Sequence, residues 1–422
     1  MINTIALSQS LAAYTLTFRK LSPDILASLR TKHRDLYKAM CSNGISCVVL
    51  STCLRFEVYI HTEGEDRWSF VEKNLENMLE EYKIYIDKHV GIDAIRYLFE
   101  VSSGLHSQIV GEWEILEQVE EALKRSIEFS CSSWLLEKLF RKAVDVGRKV
   151  RIQFMGLETH ERGYPQIGIK ILSRALGDLN DKKLMFIGSG HAIRRAIRYL
   201  MNYYRPSIVV VFSEDINKAT SICSMYGESC IPLPFSELAE WLTKIDGIFI
   251  AISNLGNEYL NKIRQVVESL KIPVVDVSLP PIVKETHENV YTFYDIQRYA
   301  EEANETAVSC IDKIKQTIDR EVEAFLLSIA RDMVANRLAS IMKAAEVLAI
   351  YSAEKLVKEL RISEESREIV VAAFRNYSHK ILIPLIDIML QKSLQNEKYG
   401  EYMNSILTHF ENKLNSLIDS VK

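Results

Sequence analysis

No stretch of the 422 residues approaches 18 uninterrupted apolar positions, so the sequence predicts no membrane span. The first 18 residues lack both a basic start and a long apolar core, and no signal peptide is expected. The seven cysteines (41, 47, 53, 131, 223, 230 and 310) are an odd set without a CxxC pair. That pattern argues against a zinc knuckle and against a disulfide framework. The expectation is seven reduced thiols in a cytoplasm, and no metal. Neither sign of charge dominates: the formal net charge is -4, which gives no reason for nonspecific attraction to nucleic acid. One basic stretch stands apart. Arg141, Lys142, Arg148, Lys149 and Arg151 face a single acid, Asp145, and read either as a solvated helix face or as a contact for an RNA backbone.

What is present divides into regions of different texture. Apolar content of 48% with 26% charged residues is that of a globular protein, and the length calls for two or three domains. Up to about residue 160, short β-rich runs mix with helices; Cys47–Leu50 and Leu54–Ile60 read as strands and 107–129 as a long helix. From Lys182 to about Tyr294, apolar strands at Leu184–Ile187, Ile208–Phe212, Gly247–Ile252 and Pro273–Val277 alternate with helical segments, the pattern of a parallel sheet with crossover helices. From Ile282 to Ile383 there is neither glycine nor proline. Within that stretch Ile311, Ile314, Ile318, Val322, Phe325 and Ile329 recur at helical spacing. A helix from about Asp295 to Met333 would extend roughly 55–60 Å and serve as a spine. Amphipathic segments at about 335–361, 363–394 and 398–420 follow, most simply a dimerisation bundle.

The strand Leu184–Ile187 runs into Gly188-Ser189-Gly190, and His191 to Met201 reads as helix. Glycines in a strand-to-helix turn let the backbone approach a pyrophosphate seated on the helix N-terminus. His191, Ala192 and Ile193 continue the loop, with Ile193 at the third glycine position. Glu214, 26 residues after Gly188, ends the second strand, where an acid binds the ribose 2′-hydroxyl of NAD and repels a 2′-phosphate. Arg194 and Arg195 lie close enough to offset that repulsion.

In the segment Ser51-Thr52-Cys53-Leu54-Arg55-Phe56-Glu57-Val58-Tyr59, alternation puts Leu54, Phe56, Val58 and Ile60 on one face. Cys53, Arg55, Glu57 and Tyr59 take the other. A cation beside a cysteine favours the thiolate, the nucleophilic form.

Ser51-Thr52-Cys53-Leu54-Arg55 resembles the S-T-C-N-R active-site motif of glutamyl-tRNA reductases. Gly104-Leu105-His106-Ser107, continuing through Gly111-Glu112-Trp113-Glu114-Ile115-Leu116-Glu117-Gln118-Val119, is similar to that family's longer G-L-x-S-x-x-x-G-E-x-x-I-L-x-Q-V motif. The likeness extends over the whole chain. It implies an α/β multidomain fold: an α+β catalytic, glutamyl-tRNA-binding domain (1–160), a Rossmann-type parallel-sheet NADP-binding domain (161–290), a spinal helix (291–334) and a helical dimerisation domain (335–422). It also implies a reaction. Cys53 attacks the ester of glutamyl-tRNA, and hydride from NADPH reduces the resulting thioester to glutamate-1-semialdehyde, the first committed step toward tetrapyrroles. Thr52, Leu54, Arg55, Ser107, Glu112, Trp113, Glu114 and Gln118 fall on the family's substrate-binding positions, with Arg55 as the clamp for the substrate carboxylate. Helical spacing puts Ser107, Glu114 and Gln118 on one face. The resemblance further implies a homodimer and docking of the downstream aminomutase.

The chain departs from the family at four places. Leu54 replaces the motif's asparagine, and Tyr97 stands where the family has a histidine able to exchange a proton near neutrality. Ser213-Glu214 replaces Asn-Arg, which opens the cofactor preference to NADH beside NADPH, and Pro280-Pro281 replaces Pro-Arg. Two other readings are a weakened paralogue acting as a dimeric tRNA-binding or regulatory protein, and a shikimate-dehydrogenase-like reductase. The second leaves the cysteine motif and helical tail unexplained.

Overall fold

The computed structural model describes residues 10–155, 163–252, 257–268, 270–283, 289–299 and 310–393, with isolated positions beyond 407. Two compact units divide the chain between Ile318 and Asp319. The larger, Ser10–Ile318, holds two sheets.

The first sheet is antiparallel, in the order β2-β3-β1-β4, from β1 (Leu11–Thr17), β2 (Ser46–Ser51), β3 (Arg55–His61) and β4 (Asp87–Val90). Its helices are α1 (Pro23–Leu29), α2 (His33–Cys41), α3 (Glu65–Met78), α4 (Ile92–Ser102), α5 (Glu114–Glu128) and α6 (Trp134–Val150). Ile115, Leu116, Val119, Ala122 and Leu123 recur every three or four residues and give α5 its buried stripe. Ser133 caps α6 by accepting from the Leu136 backbone N–H, a contact whose removal costs about 1 kcal/mol. One face of the sheet carries Phe56, Val58 and Ile60 into an apolar core with Leu36, Met40 and Val49. The opposite face, with Arg55, Glu57 and Tyr59, is buried too.

The helix expected over 107–129 begins only at Glu114. Residues 103–113 form turns, because Gly104 and Gly111 both take left-handed φ, +77° and +81°. Ser107 therefore does not share a helix face with Glu114 and Gln118.

The second sheet is wholly parallel, in the order β10-β9-β8-β5-β6-β7. Its strands are β5 (Lys183–Ile187), β6 (Ile208–Ser213), β7 (Cys230–Pro234), β8 (Gly247–Ile250), β9 (Val274–Asp276) and β10 (Val290–Tyr291). Parallel strands need crossovers, supplied here by α7 (Tyr164–Leu176), α8 (His191–Tyr203), α9 (Ile216–Cys223), α10 (Leu238–Trp241) and α11 (Asn257–Glu268). Alternate residues serve opposite faces. Leu184, Phe186, Val209, Val211 and Phe249 pack with α7 and α8, while Met185, Ile187, Val210, Phe212 and Ile248 pack with Leu238 and Ile263.

Four of the seven cysteines are not free thiols. Cys41 pairs with Cys131 across 90 residues, and Cys223 with Cys230 across seven. The end of α2 and the turn after α5 converge on the first residues of β2, where Cys47 Sγ also lies 3.6 Å from Cys131 Sγ. Such convergence is tertiary and leaves no trace in cysteine spacing. Cys47, Cys53 and Cys310 remain free.

Helix α12 (Ile311–Glu359) runs 49 residues, about 73 Å, without the break expected near residue 334. Ile314, Ile318, Val322, Phe325 and Ile329 are all buried. The expected start of this helix near Asp295 cannot be followed, since 300–309 lie outside the described residues. Helix α13 (Glu364–Ser393) folds back on α12, tied by Arg367–Glu354 at 2.6 Å and Arg375–Glu346 at 2.8 Å. Most of the segment expected at 398–420 lies outside the described residues. Among the described residues no helix is long and apolar enough to cross a membrane.

Candidate active site

Cys53 occupies the turn between β2 and β3. The Thr52 N–H donates to the Arg55 carbonyl at 2.9 Å, and the Leu54 N–H to Thr52 Oγ1 at 3.1 Å, which together hold the thiol at the sheet's end. Leu54 does not join Phe56 on the strand face. It lies before β3 begins, and packs with Ile109, Tyr164, Ile167 and Ile193 in the core that the catalytic half shares with the nucleotide-binding half. Cys53 packs on the same cluster. Burial pushes its thiol up to about 11; Arg30 pulls against this and Glu112 reinforces it, while Arg55 contributes least. The expectation of a thiolate stabilised by Arg55 is thus reversed: in this environment the resting sulfur is protonated.

The reason is that Arg55 is committed elsewhere. Its Nη1 donates to Glu57 Oε1 at 2.9 Å and its Nη2 to the His106 carbonyl at 2.8 Å. Tyr59 and Tyr97 complete the carboxylate's shell, donating to Glu57 Oε2 at 2.8 Å and Oε1 at 2.9 Å. Arg55 and Glu57 are 2% and 0% exposed, so the pair is a buried structural ion pair with its lone pairs satisfied. Burial and Glu57 drive the Tyr97 phenol far above its ordinary range, so it donates a hydrogen bond and does not accept a proton. Its ring is flanked by His89 at 4.1 Å and His106 at 4.8 Å, and His106 Nε2 lies 2.7 Å from Glu100 Oε2.

The turns before α5 carry the second group of candidates. Ser107 and Glu112 are buried, Glu114 opens α5, and Gln118 lies one turn further, half-buried. Burial first, and the like charge of Glu114 second, raise the Glu112 carboxyl to about 7 against the pull of Ser107, Arg55 and Arg151. Glu114 is also raised by burial, with Arg195 opposing. Both Glu114 oxygens are shut off from solvent, and Arg195 Nη1, on α8, stands 3.4 Å from Oε1. Tyr164 donates to Gln108 from the first turn of α7.

These turns are pinned from behind by Arg151. Fully buried, it donates from Nε to the Gly111 carbonyl at 3.1 Å, from Nη1 to Ser102 and Gly147 at 2.7 and 2.8 Å, and from Nη2 to the Glu112 carbonyl. Trp113 lies over its guanidinium at 5.3 Å. The basic stretch is therefore not one surface. Arg151 points inward, Arg148 pairs with Glu120, and Arg141 with Glu137 at 3.8 Å. Sequence reasoning did not single out Arg30, Tyr164 or the inward role of Arg151; only the Arg194-Arg195 dipeptide after the glycine turn hinted at Arg195.

The glycine turn has the geometry of a phosphate cradle. Gly188 has φ +121°, and a Cβ there would stand 2.2 Å from the Ala251 carbonyl oxygen, so only glycine fits. A Cβ at Gly190 would meet nothing within 4 Å, which leaves the N-terminus of α8 open to a ligand. Ser189 accepts a 2.7 Å hydrogen bond from Ser213 at the end of β6. His191 is exposed, Ala192 half-buried, and Ile193 fully buried in the core beneath the turn. Glu214 is exposed, whereas neighbouring Asp215 caps α9 by accepting from the Asn217 and Lys218 N–H groups. These residues fit a dinucleotide.

A thiol-bearing α+β domain joined to a parallel-sheet dinucleotide-binding domain is the layout of a nicotinamide-dependent oxidoreductase. Residues 15–154 match the family profile described as glutamyl-tRNAGlu reductase, N-terminal domain, and residues 170–299 the one described as shikimate/quinate 5-dehydrogenase. The glutamyl-tRNA reductase of Aeropyrum pernix is 29% identical over 338 residues, 79% of each chain. That of Sulfurisphaera tokodaii is 28% identical over 391 residues, 89% of this chain and 88% of the relative. The solved glutamyl-tRNA reductase from Methanopyrus kandleri shares the fold with a TM-score of 0.51 at 21% identity, covering 96% of this chain and 99% of that one. The chain belongs to the glutamyl-tRNA reductase family.

Proposed function

We propose that this protein reduces glutamyl-tRNA to glutamate-1-semialdehyde with NADPH, through a thioester on Cys53. The observation that carries the reading is the place of Cys53: at a sheet edge, packed on the core of the nucleotide-binding half, and under the direct electrostatic influence of buried Glu112. A thiol held near 11 needs a proton acceptor, and Glu112, titrating near neutrality, is suited to the task. The Cys53 sulfur forms a bond to the glutamyl carbonyl carbon while the ester bond to the terminal ribose breaks. The ribose oxygen leaves with the proton that Glu112 held. Bound at the Gly188–Gly190 turn, NADPH supplies the hydride that turns the acyl group into the aldehyde. Cys53 sulfur then departs as the thiolate and is reprotonated. Because Arg55 is held by Glu57, its part is to fix the turn and, when substrate arrives, to offer its remaining donor capacity to the substrate carboxylate.

The decisive experiment is a semialdehyde assay with purified protein, glutamyl-tRNA and either NADPH or NADH. Product is expected with wild type and none with Cys53→Ser; product undiminished in that variant would overturn the thioester. Glu214→Arg, at the exposed end of β6, is expected to raise the preference for NADPH over NADH.

A homodimer through the C-terminal helices is part of the same reading. Its support is the exposure of Ile369, Tyr377 and Ile381, at 71%, 67% and 69%, on α13.

A further inference from the structure

A second concavity, of about 740 Å³, lies between α8 of the nucleotide-binding half and helices α5 and α6. Its walls bring Arg148, Arg194, Arg195 and Arg198 together with Trp113 and Tyr203, against only two acids, Glu117 and Glu120. Arg195 is tied to Glu117 at 2.7 Å and Arg148 to Glu120, which leaves the positive excess at Arg194 and Arg198. Tyr203 is 54% exposed, an unusual state for a large aromatic at a cationic rim.

We infer that this groove receives the single-stranded 3′ end of a tRNA. Guanidinium groups that track phosphates, interleaved with aromatic rings on which bases stack, are the chemistry of single-strand RNA recognition. A dinucleotide cannot account for the groove. The glycine turn holds a pyrophosphate at the N-terminus of α8, whereas the groove's side chains run along the helix flank from His191 to Asn202, about 16 Å away from that end. The groove also leads to the thiol. Arg195 in its wall is the partner of buried Glu114, and Glu114 neighbours Glu112, whose charge acts on Cys53. The inference rests on the proposed function for the identity of the RNA, and deepens it by giving the acceptor end a path.

The test is a binding cycle with the full-length protein. Unacylated tRNA is compared with the same tRNA trimmed of its single-stranded 3′ nucleotides, on wild type, Arg198→Glu and Tyr203→Ala. Trimming is expected to weaken binding to wild type about tenfold. Arg198→Glu and Tyr203→Ala should each weaken intact tRNA to a similar degree while leaving trimmed tRNA unchanged, and Arg198→Glu should reduce the salt slope by about 0.7 per phosphate lost. Equal losses for intact and trimmed tRNA, no loss for either, or displacement of the RNA by polyglutamate at matched charge would overturn the groove. So would the failure of wild type to bind tRNA. Binding that depends on the 3′ end in a protein without turnover would sink the proposed reaction and leave the groove standing.

Discussion

Arg195 Nη1 stands 3.4 Å from Glu114 Oε1, so a cation on the first helix of the nucleotide-binding half neutralises an acid buried in the catalytic half. The pair joins the two halves at the point where both touch the Cys53 pocket. Glu112 and Glu114 repel each other there, and Arg195 is the leading charge that restrains Glu114.

Removing that cation should therefore be felt in protonation before it is felt in packing. In Arg195→Gln both carboxyls should rise, by about one unit, since an opposite charge at this range shifts a buried acid by that order. The acidic limb of the kcat/KM profile, set by Glu112 near 7, should move toward pH 8. A limb that stays in place would show that Arg195 does not tune the pair.

Glu112→Gln tests the acid itself. Loss of a general base typically costs 10²–10⁴ in rate, and the limb near neutrality should vanish. Stability carries an independent signature. A carboxyl raised to about 7 in the folded chain, from an ordinary value of 4.5, holds its proton longer when folded. Wild-type stability is thus favoured below the unfolded value and declines as pH rises from about 4.5 through 7. In urea titrations at pH 5 and 7.5, the variant should lose less stability over that interval than wild type does. An identical loss in both would remove Glu112 as the source.

The parallel sheet was open to reading because its strands alternate apolar residues toward two helical layers, and because glycine marks the first crossover. The Cys53 turn was open for a similar reason, being a short local motif. What stayed hidden is tertiary. Gly104 and Gly111 cut short a helix that apolar spacing alone would have carried back to residue 107. Arg55 shares a strand face with Cys53, yet burial and Glu57 take away its effect on the thiol. Arg151 looks like any member of a basic run until four carbonyls are found around it.

Those carbonyls make Arg151 the most sensitive position outside the chemistry. Burial lowers its guanidinium to about 10, still protonated at neutral pH, and every bond it makes replaces one to water. Arg151→Met keeps the bulk and strands the acceptors of Ser102, Gly111, Glu112 and Gly147. A loss of about 3–5 kcal/mol is expected by chemical denaturation. A loss below about 1 kcal/mol would mean that the turns hold themselves.

The thiol itself offers the most direct measurement. Iodoacetamide reacts with the thiolate, so its rate at Cys53 reports the ionised fraction. With burial holding the group near 11, about one molecule in ten thousand is ionised at pH 7, and the rate should climb tenfold per pH unit through pH 10. Peptide mapping separates the three free cysteines: Cys47 is fully buried, with its thiol driven still higher by burial, and should stay unlabelled in the folded protein. Cys53 and Cys310 are the half-buried positions, and only Cys53 should respond to Glu112→Gln. Removing the acid's negative charge eases ionisation of the sulfur, so labelling at a fixed pH of 8.5 should speed up even as catalysis falls. A rate that levels off near pH 7 would instead make Cys53 a resting thiolate, and Glu112 would then have no proton to take from it.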